Sequence, residues 1–161
     1  MIIKNFLSNE ECDTLLEEAR LSKKWKPQNE GTGIFILKSE NHKLLIDIYK
    51  RVSMLFDKNL HTQIIRMIHK TDSDSFWAEH SDNSGGDEIE YGVIIYLNDD
   101  FIGGDLVYPE LGSEVKPEKG MLVYHPGDEK HRVSKVISGD RYTLTSFIRT
   151  HKAIHKESPS V

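Results

Sequence analysis

The sequence predicts a mainly β fold with N-terminal helices: a sandwich or jelly roll with the helices packed outside one sheet. Three observations point there. Apolar residues recur with a helical period in roughly the first two fifths of the chain, and with a period of two from about residue 62. Clusters of turn-forming residues cut the second part into short segments of even spacing. The length, 161 residues at 37% apolar and 29% charged, suits one core and is too short for two ordinary ones.

Ser8-Asn9-Glu10-Glu11 is a capping box that opens a helix over about 9–21. Cys12, Leu15, Leu16 and Ala19 then fall on one helical face. A loop or short strand follows, with Gly31-Thr32-Gly33 ahead of Ile34-Phe35-Ile36-Leu37. Asn41 opens a second helix whose stripe is Leu44, Leu45, Ile48, Val52, Leu55 and Phe56. The expected strands are 62–69, 75–80, 90–97, 104–108, 113–116, 120–125, 130–137 and 140–149. Turns separate them at Asn83-Ser84-Gly85-Gly86, Gly103-Gly104, Pro117 to Gly120, Pro126-Gly127-Asp128 and Ser138-Gly139-Asp140. The expected organisation is one domain over 1–161: a helical support region 1–61, a β core 62–150 and a tail 151–161.

The formal net charge of −5 argues against nucleic acid as a partner. The basic run Lys23-Lys24-Trp25-Lys26 and the tail from His151 to Lys156 read as a solvated face and a frayed end. A single cysteine, Cys12, excludes an internal disulfide and fits a reducing compartment. The opening Met-Ile-Ile-Lys is too short for a signal peptide, and no apolar run is long enough to span a bilayer. A cytoplasmic protein with no membrane partner is the expectation.

Chemistry first appears at His80-Ser81-Asp82. Residues i and i+2 of a strand point to the same side, so one imidazole and one carboxylate can enter one cavity. The triplet alone is weak, since a surface histidine beside a turn aspartate reads the same way. A third ligand must come from elsewhere, and His131 on a late strand is the candidate. Two histidines and one carboxylate leave three positions open on an octahedral ion, which suits non-haem Fe(II). His125 is the rival for that third place. His42, His61, His69, His151 and His155 read as surface or core residues.

An ordered set of motifs surrounds these residues. It runs His80-x-Asp82, Tyr96-Leu97-Asn98, Gly103-Gly104-Asp105-Leu106-Val107-Tyr108-Pro109, Val115 to Gly120, His131-Arg132-Val133 and Gly139 to Thr145. In this set the chain resembles the prolyl 4-hydroxylase family of 2-oxoglutarate/Fe(II)-dependent dioxygenases, closely over about half its length. The resemblance implies a double-stranded β-helix, the jelly-roll or cupin-like fold. It implies His80, Asp82 and His131 as metal ligands, and Arg141 and Tyr96 as partners of the far carboxylate of 2-oxoglutarate. Thr145, which shares a strand face with Arg141, adds a hydroxyl. The implied cofactors are Fe(II), 2-oxoglutarate and O2, with ascorbate as reductant. The implied partner is a protein or peptide containing proline, hydroxylated at a C–H bond with succinate and CO2 as coproducts.

The residues support these roles independently. A buried dicarboxylate needs a cation with fixed donors, and a guanidinium supplies two parallel N–H groups. Arg141, Thr143 and Thr145 alternate on one face of the last strand, where a filled jelly roll would be apolar. The chain departs from the family in having Phe147 where an indole often stands, and Asp105-Leu106 after the glycine pair. Acids at Asp87, Glu88 and Glu90 favour a basic or neutral substrate segment. The same chemistry on a free amino acid or a nucleobase is one alternative; Arg149 is a poorly spaced match to the second arginine of nucleic-acid demethylases. A cupin-like module that binds or senses metal without turnover is another, although such a module has no need of Arg141 with Tyr96.

Overall fold

A computed structural model describes residues 1–29, 31–36, 42–63, 65, 67–83 and 88–150. Leu37, Asn41, the turn residues 84–86, Asp87 and the tail 151–161 lie outside the described residues. The first helix, α1 (Asn9–Leu21), begins and ends where the capping box and the apolar stripe place it. Ser8 Oγ accepts from the Glu11 N–H, and Glu11 Oε2 accepts from the Ser8 N–H. Cys12, Leu15, Leu16 and Ala19 are its buried face. The second helix, α2 (Lys43–Ser53), is capped by His42 without a side-chain hydrogen bond, and buries Leu45, Ile48 and Val52. It is shorter than its stripe, because Leu55 and Phe56 pack on the core from beyond its end. Arg51 ties the helices together through Glu11 at 2.7 Å and the Phe6 carbonyl at 3.0 Å.

The strands form antiparallel sheets. The larger contains β1 (Ile2–Ile3), β2 (Lys26–Asn29), β3 (Thr32–Ile36), β4 (Leu60–Thr62), β5 (Met67–Thr71), β7 (Ile89–Tyr96), β11 (Leu122–Pro126) and β14 (Arg141–Thr150). Its order is β1-β11-β7-β14-β5-β3-β2, with β4 also on β14. The smaller contains β6 (Trp77–His80), β9 (Leu106–Tyr108), β10 (Ser113–Val115) and β12 (His131–Val133), in the order β10-β9-β12-β6. A two-stranded ribbon joins β8 (Ile102–Gly103) to β13 (Val136–Ser138). The mainly β fold with helices against one sheet is thus borne out.

Three local expectations change. The region 1–61, expected to be mostly helical with a loop or short strand near 34–37, contributes more strand than that: β1, β2, β3 and β4 begin within it and join the larger sheet. The expected strand over 130–137 is two strands, β12 and β13, which belong to different sheets. Gly103-Gly104 is not a hairpin turn, since β8 pairs with β13 and β9 with β10 and β12. Backbone alternation cannot reveal such breaks, because the partner of each strand is distant in sequence.

Two apolar clusters follow from the period of two. One packs the buried faces of α1 and α2 against Val93, Ile95, Leu122, Tyr142, Leu144 and Ile148 of the larger sheet. The other, Tyr96, Leu106, Tyr108, Met121 and Val123, draws on strands of both sheets. Neighbouring residues of β7, β11 and β14 therefore face opposite ways. Ile48 is fully buried and Met54 is 85% exposed. Ile48→Ala should lower unfolding stability in urea by about 2–5 kcal/mol. Met54→Ala should change it by less than about 0.5 kcal/mol.

Candidate metal centre

β6 ends in His80 and β12 begins in His131, and the two are register partners. Their rings stand 4.4 Å apart, centroid to centroid. Asp82 follows just beyond β6, with Oδ1 3.8 Å from Nε2 of each histidine. The ligand atoms of His80, Asp82 and His131 all lie within 4.8 Å of one another, and among the described residues this is the one such group.

Both histidines are turned for coordination. Nδ1 of His80 donates to the Ala78 carbonyl at 2.9 Å, and Nδ1 of His131 to the Glu129 carbonyl at 3.0 Å. A carbonyl can only accept, so each proton sits on Nδ1 and each Nε2 offers its lone pair. Burial, then the neighbouring His125, push the His131 imidazole down to about 4, despite opposing effects of the Glu129 carbonyl and Asp82. It is therefore neutral at pH 7, as a metal ligand must be. Burial alone would raise the Asp82 carboxyl. The His125 hydrogen bond and the surrounding imidazoles outweigh it and hold Asp82 below the ordinary carboxylate range. Two imidazole nitrogens and one carboxylate oxygen fit a divalent transition metal with open positions.

The same cavity is lined by His69, Arg141, Thr143 and Thr145. Arg141 opens β14, is 2% exposed, and has no ion pair among the described residues. Its guanidinium lies 5.1 Å from the Tyr96 ring centroid, and Nη2 is 3.5 Å from the Tyr96 hydroxyl, long for a hydrogen bond. Burial, against the pull of Arg141, raises the Tyr96 phenol, which stays a protonated donor. Arg141 Nε, Thr145 Oγ1 and His69 Nε2 are buried without hydrogen-bond partners among the described residues. A buried cation with no counter-charge costs several kcal/mol. A small anion rich in acceptor oxygens fits this lining.

Asn98 explains part of the Tyr96-Leu97-Asn98 motif. Its Oδ1 accepts from the Tyr142 N–H at 2.8 Å and its Nδ2 donates to the Asp140 carbonyl at 2.8 Å. It thus clamps the start of β14 on both sides of Arg141. Gly104, at φ +69°, leaves room for the arginine: a Cβ there would meet Arg141 Cδ at 3.1 Å. Arg149, the poorly spaced second arginine, does not line the cavity. Phe147 does. Of the acids beyond Asp82, Glu88 accepts from Thr150 Oγ1 at 2.6 Å and Glu90 is exposed.

Two histidines that line the cavity have contacts that are not legible in the sequence. His69 lies on β5 opposite Thr143, in contact with Trp77 at 5.4 Å between ring centroids. Its only signal is its parity with Met67 and Thr71, on a strand whose register the sequence leaves open. His125, the rival ligand, sits behind the centre and touches Asp82 instead.

No family model matches the chain. Over 83 residues it is 37% identical to a mouse (Mus musculus) 2-oxoglutarate and iron-dependent oxygenase domain-containing protein 3, covering 47% of this chain and 26% of that protein. The chain thus spans well under two thirds of that relative. A PKHD-type hydroxylase of Prochlorococcus marinus is 24% identical over 96% of this chain and 80% of its own length. Among solved structures, a Trichoplax adhaerens prolyl hydroxylase in complex with a peptide fragment of the hypoxia inducible factor oxygen degradation domain superposes with a TM-score of 0.75. It is 19% identical, covering 98% of this chain and 86% of that one. The chain is similar in sequence to 2-oxoglutarate/iron oxygenases, and its fold is that of a prolyl hydroxylase, the jelly roll of this group. Among the described residues no helix is long and apolar enough to cross a membrane.

His69 is held near 4 by burial and then by Arg141, with Asp82 opposing. Its folded value is depressed, so the unfolded chain binds more protons below about 6.5. Stability of the metal-free protein should be full above that pH and fall as pH drops toward about 4. Urea unfolding at pH 7.5, 6 and 5 checks this, and His69→Gln should make the decline shallower.

Proposed function

We propose that the chain is an Fe(II)- and 2-oxoglutarate-dependent oxygenase that hydroxylates a C–H bond of a prolyl residue in a protein or peptide. One observation carries the reading. A two-histidine, one-carboxylate cluster shares its cavity with a buried arginine that has no ion-pair partner among the described residues. A metal-binding module without turnover would leave that arginine unexplained. The names and folds of the similar proteins support the same class.

Three residues hold the metal: His80 and His131 through Nε2, and Asp82 through a carboxylate oxygen. Arg141 binds the far carboxylate of 2-oxoglutarate with charge-assisted N–H donors, and the Tyr96 hydroxyl donates to the same group. Thr145 Oγ1 supplies a further hydrogen bond. When bound, iron couples oxidation of 2-oxoglutarate by O2, which gives succinate and CO2, to insertion of one oxygen atom into the substrate C–H. The chain itself orients the cosubstrate and shields it from water. Ile94 and Val133 wall the cavity with apolar surface. His80 is 40% exposed at its side chain, so the metal side opens to solvent. A large substrate such as a peptide can reach it there. The Trichoplax adhaerens prolyl hydroxylase of similar fold is in complex with a peptide fragment, which supports a peptide substrate here. Phe147 on the cavity wall is the apolar surface nearest to that use.

The test is succinate formation from 2-oxoglutarate in air with Fe(II) and ascorbate, with and without proline-containing peptides. Iron-dependent succinate that rises with a proline peptide is the expected result. Asp82→Ala should abolish turnover, and full activity in that variant would overturn the ligand assignment. Arg141→Ala should raise the 2-oxoglutarate concentration needed by about ten- to a hundredfold, the loss of one charge-assisted contact.

A further inference from the structure

The geometry points to His125 as a positioning residue that, held in turn by Tyr108, fixes Asp82 to meet the metal through Oδ1 alone. This rests on the proposed metal-holding role of His80, Asp82 and His131. His125 Nε2 lies 3.1 Å from Asp82 Oδ2, and its Nδ1 lies 3.0 Å from the Tyr108 hydroxyl. Asp82 Oδ1 is the oxygen that faces both Nε2 atoms of His80 and His131, at 3.8 Å each. An ionised carboxylate only accepts, so His125 Nε2 carries a proton. In the neutral imidazole Nδ1 then holds a lone pair, and Tyr108 donates to it. Burial raises the Tyr108 phenol and keeps its proton in place. Oδ2 is thereby occupied, and Oδ1 is left for the metal.

This also separates the two rival histidines. The His125 and His131 rings are 4.2 Å apart, so proximity does not choose between them. Both ring nitrogens of His125 are engaged inside the protein, whereas His131 Nε2 faces Asp82 Oδ1 at 3.8 Å and has no hydrogen bond among the described residues. The contact is built into the sheet as well. Gly92 pairs with His125 across β7 and β11, and a Cβ on it would collide with Asp82 Oδ2 and fall 2.7 Å from His125 Nε2. Only a residue without a side chain lets carboxylate and imidazole meet there. A carboxylate that binds through one oxygen keeps further metal positions available for cosubstrate and O2.

Calorimetric titration of the metal-free protein with Co(II), with the visible Co(II) spectrum as a signature of coordination, tests this. His125→Gln places an amide N–H where Nε2 was and reaches Asp82; His125→Asn occupies the Nδ1 position and does not. Unfolding curves establish that both variants fold. Co(II) affinity in His125→Gln should stay within about threefold of the parent with the same spectrum, while His125→Asn should lose about 10- to 100-fold and alter the spectrum. Equal affinities and spectra in the two variants would overturn the positioning role while leaving the metal centre intact. Failure of the unaltered chain to bind Co(II) would instead overturn the metal reading on which the inference rests.

Discussion

A guanidinium buried to 2% exposure, with no ion pair among the described residues, is the constraint around which this structure is arranged. Arg141 sits at the start of β14, the strand that pairs with β4, β5 and β7. Holding an uncompensated charge there is unfavourable, so the surrounding fold must be stable without it. The opposite face of the same strand meets that need. Tyr142, Leu144 and Ile148 are buried in the larger apolar cluster with the helices. The two helices are thus more than decoration of the sheet. They cover the apolar side of β14, whose other side carries Arg141, Thr143 and Thr145.

The metal centre obeys a related rule, that polar groups inside a protein are useful when each has a defined partner. His80 and His131 each donate Nδ1–H to a backbone carbonyl two residues earlier in the chain. Local backbone therefore sets their tautomers before any metal arrives. Asp82 Oδ2 instead meets His125, which is bonded in turn to Tyr108, and these lie on β11 and β9. The centre therefore draws on the pairing of β12 with β6 in one sheet and of β11 with β7 in the other. Preorganisation of this kind matters because it exceeds what three side chains on mobile loops could hold.

How much of this is legible in the sequence differs by element. The extent of α1 is readable because capping and periodicity are local, and Ser8, Glu11 and the apolar stripe lie within a few turns of one another. The polar face of β14 is readable for the same reason, since Arg141, Thr143 and Thr145 alternate within one strand. The break between β12 and β13 is not, because nothing local marks Ser134 and Lys135 as the point where the partners change. The hairpin of β2 and β3 is hidden because Lys26-Pro27-Gln28-Asn29 has neither alternation nor β-branched residues. Pairing with β3 makes it a strand.

The sequence by itself determined the fold class, the candidate trio His80, Asp82 and His131, and the inward face of Arg141. Each is carried by spacing along the chain, by residue type or by the ordered motifs in which the resemblance lies. Only the tertiary structure decided what His69, His125, Asn98 and Gly104 do. His125 touches Asp82 across 43 positions, and Asn98 bonds Tyr142 across 44. Such contacts depend on strand order and register, and these are set by which faces pack together once the whole chain has folded.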